Sequence, residues 1–164
     1  MRTILGGVIL VLGVFYTSPS QRSNGKAIAS DLVASGTPYS PGILAGDTLY
    51  ISGLQGTDPK THQLPAEFHQ ELKNCLENVG TVLKGSEMDF SNVVSVQIFL
   101  QDMNDFKEVN AAYTRYFKPP FPARTTVQVS KLSLGARIEM PSQLLQSVRY
   151  VDGPARQDGT VLQR

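Results

Sequence analysis

One cysteine, two histidines and no tryptophan stand among 164 residues, and that scarcity excludes whole classes of protein. Cys75 alone cannot build an internal disulfide framework, and His62, His69 and a single thiol fall short of a zinc set, so no metal site is expected. Lysine and arginine form no run and the formal net charge is only +1, which leaves no electrostatic footprint for nucleic acid or an anionic membrane. The one long apolar run is too short to span a bilayer fully, and no internal repeat occurs. What is present is a chain 41% hydrophobic and 18% charged, one domain's worth of globular core.

At the N-terminus Met1-Arg2-Thr3 precedes an apolar run from Ile4 to Tyr16 and a small-residue exit through Thr17 to Gln21. That pattern is an export signal over residues 1–20, with an uncleaved helical anchor, or a misassigned start or buried helix, as alternatives. It implies a secreted or periplasmic protein; a non-functional segment would leave it cytoplasmic, and only an uncleaved one gives a membrane partner. Residues 21–36, rich in Ser, Gly and Asn, read as a linker with little reason to pack. An ordered domain is expected over 37–151 and a polar tail over 152–164.

Within the domain, Leu44 to Gly53 holds two short strands about Gly46-Asp47, a hairpin signal. Gly53 marks either a bulge or a place where a ligand approaches the backbone. From Pro65 the apolar period becomes helical through Phe68, Leu72, Leu76, Val79 and Leu83, with Gly85 as a stop and Glu71 off the stripe. Cys75, beside that stripe and without an activating neighbour, reads as a small core residue. Val94, Val96, Ile98 and Leu100 alternate with Val93, Ser95, Gln97 and Phe99, a central strand with one strongly apolar face. A second helix from about Met103 to Phe117 carries Phe106, Val109, Tyr113 and Tyr116 on one stripe, with Asp102 or Asn104 as N-cap. Strands follow from Ala123 and from Ala136. The order ββ-α-β-α-β-β implies an α+β fold, a mixed sheet with two helices on one face.

The stretch Phe121 to Val129 stands out. Prolines 119, 120 and 122 stiffen its entry, and Arg124 opens an alternating strand whose Thr125, Val127 and Val129 face one way. An arginine there grips a carboxylate with two parallel N–H bonds as lysine cannot, although a surface arginine or a structural ion pair has the same appearance. Glu139 is ambiguous in the same way, with Arg137 or a cross-strand lysine as its ordinary partner.

Tyr39-Ser40-Pro41-Gly42, Ile51-Ser52-Gly53, Leu76-Glu77-Asn78-Val79, Asp105-Phe106 with Val109-Asn110, Tyr116-Phe117, Pro122 to Val127 and Ile138-Glu139 together resemble, in order, the reactive intermediate (enamine/imine) deaminases of the RidA/YjgF type. The resemblance runs from about Tyr39 to Arg149, and Pro-Ala-Arg-Thr-x-Val is its most specific part. It implies a chorismate-mutase-like fold, a homotrimer with clefts between subunits, and hydrolysis of 2-aminoacrylate in its 2-iminopropionate form to a 2-oxo acid and ammonia, without a cofactor. It further implies that Arg124 binds the substrate carboxylate, that Glu139 orients or activates water, and that Tyr39, Gly53, Phe106, Asn110 and Thr126 line the cleft. Thr126 stands where cysteine or serine is common. Pro141 replaces a second glutamate, Leu54 a glutamine and His62 a turn glycine. The alternative is a non-catalytic trimeric binder of small carboxylates, which needs Arg124 but not Glu139; an endoribonuclease, a third possibility, sits poorly with the neutral charge.

Reach supplies a separate hint. In a simple hairpin about Leu132 to Gly135, Glu139 would face Gln128, roughly 13 Å along the sheet from Arg124. Either the last two strands are not neighbours, or the two groups meet across a subunit boundary.

Overall fold

The structure, a computed structural model, describes residues 25–145. The expected export signal and polar tail lie outside them. Among the described residues no helix is long and apolar enough to cross a membrane. Eight main elements follow one another: β1 Lys26–Ile28, β2 Gly42–Ala45, β3 Thr48–Gln55, α1 Phe68–Gly85, β4 Val93–Leu100, α2 Phe106–Tyr116, β5 Ala123–Gln128 and β6 Ile138–Leu145. The strands form one sheet in the order β1-β2-β3-β6-β4-β5. Every pairing is antiparallel except β4 with β5, the parallel pair that α2 connects as a crossover requires.

Both helices cover one face. Leu49, Ile51, Ile98, Leu100, Ile138 and Met140 point beneath them and are buried, together with Leu72, Cys75, Leu76, Val79 and Leu83 of α1. A fully buried side chain of this kind contributes on the order of 1.5–3 kcal/mol, so this layer holds the fold. Burial, reinforced by the Glu71 and Glu139 carboxylates, pushes the Cys75 thiol far above its usual range, and its S–H donates to the Leu54 carbonyl at 3.2 Å, as an inert core residue does.

Several expectations need correction. The linker expected over 21–36 is structured in its described part: Lys26–Ile28 pairs with β2, and Ile28 and Leu32 join the core. A methyl on Gly85 would press on Ile28, so this glycine gives close approach rather than a left-handed stop; the turn after α1 is taken by Glu87 at φ 59. Glu71 is buried, its carboxylate accepting from the N–H groups of Arg137 at 2.7 Å and Ile138 at 3.3 Å. It ties α1 to the start of β6. In β4 a register shift between Val93 and Ser95 turns Val94 outward and leaves Val93 inside. The Val127 row of β5 faces the uncovered side of the sheet, while Arg124 and Thr126 pair with the buried positions Val96 and Ile98 and so face the helices.

Candidate functional site

β3 and β6 build the first half of the site. The register of their pairing shifts between Ile51 and Leu54, so that Ser52 and Gly53 bulge out opposite Pro141, a residue that has no N–H to give to a ladder. The bulge frees Ser52 for other bonds. Its N–H donates to the Pro41 carbonyl at 2.9 Å and its hydroxyl to the Ser40 carbonyl at 2.7 Å, which hold the Tyr39-Ser40-Pro41 segment beside Gly53. Strand β6 continues past Pro141, and Glu139 pairs with Gln55 on one side and Phe99 on the other.

Glu139 points away from the helices into a cavity of about 650 Å³, which Tyr39, Ser52, Gly53, Gln55 and His62 also line. Leu32, Val33, Leu54 and Leu134 supply its apolar wall. The carboxylate lies directly against Gly53, where any Cβ would overlap it; the bulge expected at that glycine is present, and what approaches its backbone is this side chain. Arg137, the ordinary partner expected for Glu139, is engaged elsewhere. Its guanidinium donates to both oxygens of Asp105 at 2.7 Å and lies 4.4 Å from the centre of the Phe68 ring. Among the described residues Glu139 has no cationic partner; it accepts one bond, from the Gln55 amide at 3.0 Å.

The cavity's outer wall is a tight loop. Asp58 accepts from the N–H groups of Lys60 at 2.8 Å and Thr61 at 2.9 Å, bonds that hold its carboxyl below the usual range. Asn78 of α1 donates to the carbonyls of Gln55 at 3.0 Å and Thr57 at 2.9 Å, fastening this loop to the helix. His62, standing at φ 56 where a glycine has no steric cost, borders the cavity.

The second half lies on the other side of the sheet. Arg124 has no ion pair with any described carboxylate; its guanidinium carbon lies 4.9 Å from the centre of the Tyr113 ring and 5.6 Å from that of Phe106. Such cation–π contacts steady the guanidinium beside the rings, and none of them uses up its N–H groups as an ion pair would. Tyr113 stacks in turn on Phe117, with ring centres 4.0 Å apart. Burial, partly offset by the nearby Arg124 charge, pushes the Tyr113 hydroxyl up to about 12. Asn110 sits one helical turn beyond Phe106, half-buried. The hydroxyls of Tyr113 and Thr126 are buried without a hydrogen-bond partner among the described residues, so polar capacity accumulates beside Arg124.

The structure therefore brings together Tyr39, Gly53 and Glu139 in one group and Arg124, Thr126 and Phe106 in another, with Asn110 on the helix of the second. It does not join the two. Arg124 pairs with Val96 and Val96 with Ser142; Glu139 is an odd number of residues from Ser142 and so projects from the opposite face, about 10 Å along the strand and about 10 Å across it. The last two strands are not hairpin neighbours, since β4 lies between them. Sequence reading missed Gln55 and Ser133, which bond to each other at 2.6 Å beside Glu139. The sequence marks only Gly53, the source of the bulge that turns Gln55 outward.

Residues 29–142 match the family model described as endoribonuclease L-PSP. Over 110 residues, 66% of this chain and 80% of its relative, the sequence is 44% identical to the human protein named 2-iminobutanoate/2-iminopropanoate deaminase. The fold is similar to that of RidA from an Antarctic Psychrobacter, with a TM-score of 0.69 at 31% identity, covering 73% of this chain and 98% of that one. It is also similar to the YjgF gene product of E. coli, with a TM-score of 0.67 at 30% identity, covering 74% and 99% of the two chains.

Proposed function

We propose that this chain, which belongs to the endoribonuclease L-PSP family, hydrolyses reactive 2-imino acids of the 2-iminopropionate type to 2-oxo acids and ammonia, at sites completed between copies of a homotrimer. The name of the human relative states the activity. In this chain the observation that carries it is Glu139, a carboxylate facing a cavity with its ordinary partner Arg137 taken by Asp105.

The reaction needs little machinery, because a protonated imine is already electrophilic and positioning is most of the task. Arg124 binds the substrate carboxylate through charge-assisted bonds worth about 1.5–3 kcal/mol each. Glu139 takes a proton from water as its oxygen adds to the imine carbon. Returning that proton to nitrogen lets the C–N bond break; ammonia departs as the hydroxyl proton is lost and the 2-oxo acid forms. The two groups lie on opposite faces of one sheet, so this geometry favours a site that takes Glu139, Gly53 and Tyr39 from one copy and Arg124, Thr126, Phe106 and Asn110 from the next. A closed ring of three repeats that heterologous contact.

Purified protein incubated with enzymatically generated 2-iminopropionate should accelerate 2-oxo acid release. Saturable binding of small carboxylates without turnover would instead mark a binding protein. The endoribonuclease of the family description finds no support in a net charge of +1. For residues 1–20 the proposed role is an export address, and an intact N-terminus on protein recovered from the cytosol would overturn it.

A further inference from the structure

The bulge at Gly53 has an effect on the next strand position but one. Inward positions of β3 run Leu49, Ile51 and then, after the register shift, Leu54; the shift turns Gln55 to the open face, directly across from Glu139. A carboxylate accepts only, so the amide nitrogen is the end of Gln55 that must face it, and that nitrogen has two protons to give. One goes to Glu139 Oε2 at 3.0 Å and the other to Ser133 Oγ at 2.6 Å. Oε1 of Glu139 lies instead against the bare backbone of Gly53.

We infer that Gln55 is a positioning residue for the imine hydrolysis proposed above: anchored by Ser133, it fixes the rotation of the Glu139 carboxylate so that Oε2 stays an acceptor and Oε1 receives the proton of the attacking water. Substrate binding belongs to Arg124, so the contribution of Gln55 falls on turnover.

The test is steady-state kinetics of full-length variants with generated 2-imino acids. Gln55→Leu should lower kcat about 10-fold or more, the size of one lost bond to a charged group, with KM within about twofold of wild type. Ser133→Ala, which loosens the anchor only, should lower kcat by roughly 2–3-fold. Because Gln55 acts through Glu139, adding Gln55→Leu to Glu139→Gln should cost little more than Glu139→Gln alone. An unchanged kcat, a loss confined to KM, or additive losses in the double variant would overturn the inference while leaving the hydrolase reading intact. A wild type without turnover overturns both. Should Gln55→Leu fold poorly, Gln55→Asn, which keeps the amide but falls one methylene short, decides by the same kcat and KM split.

Discussion

The two halves of the site are built in opposite ways. Glu139 sits on an interior strand, paired on both sides, laid against Gly53 and bonded to Gln55. Arg124 sits on the edge strand β5, exposed, with its guanidinium beside aromatic rings and no ion pair among the described residues. Under the proposed function a base must present one oxygen in one direction, which short contacts in the middle of a sheet favour. The proposed substrate anchor, serving a neighbouring copy, would have to reach outward, and an edge is where a chain can reach. The exposed apolar positions Val127 and Phe121 on and beside β5 fit an edge that another copy covers.

That contrast breaks most severely if either half is removed. Arg124→Ala and Glu139→Ala should each lower kcat/KM by about 10²–10⁴. Co-expressed at equal levels, the two variants should recover activity in about a quarter of their sites, because each site draws its glutamate and its arginine at random from two copies. Full inactivity of mixed trimers would place both groups in one chain. Arg124→Lys keeps the charge and loses the fork, so about a 10²-fold fall in kcat/KM with unchanged melting temperature is expected. Near-normal turnover would remove the carboxylate-gripping role.

Gly53→Ala tests the rigid half. The added methyl must push the Glu139 carboxylate aside, and a displacement near 1 Å lowers kcat by up to about 10²-fold; thermal unfolding should move far less, since the overlap falls on a side chain at a cavity. A stability loss without a rate loss would contradict this. The smallest effect concerns the aromatic cradle of Arg124. The folded-state pKa of Tyr113, about 12, lies above the unfolded phenol's value of about 10, so its contribution to stability is complete below pH ~10 and is lost as pH rises toward 12. Wild type should therefore lose more stability than Tyr113→Phe between pH 9 and about 11.5, while near pH 8 the variant is neutral or slightly stabilised, its hydroxyl having no partner to lose. Parallel denaturation curves at both pH values would contradict the burial of that hydroxyl.

Periodicity made the helices legible: Phe68, Leu72, Leu76, Val79 and Leu83 all fall in the core, and Asp102 caps the turn leading into α2 by accepting from the Asn104 N–H at 2.9 Å. It misled where a bulge changes phase. Strict alternation from Leu49 and Ile51 would bury Gln55 and expose Leu54, and the reverse is true. The segment Lys26–Leu32 was illegible because three strand residues leave too little pattern to separate from a polar linker. The valines of β5 suggested a half-buried face, yet it is the Arg124 row that meets the aromatics of α2.

By itself the sequence determined what local chemistry can specify: the helical stripes, the hairpin at Gly46-Asp47 and the proline-stiffened approach to Arg124; it singled out Arg124 and Glu139 only through the family resemblance. Only the tertiary structure decided which of those groups share a cavity. Strand order and register set the face each side chain takes, and both follow from long-range pairings, β6 inserted between β3 and β4 and a bulge opposite Pro141. Those pairings are fixed by burying the whole core at once, and no window of sequence contains them.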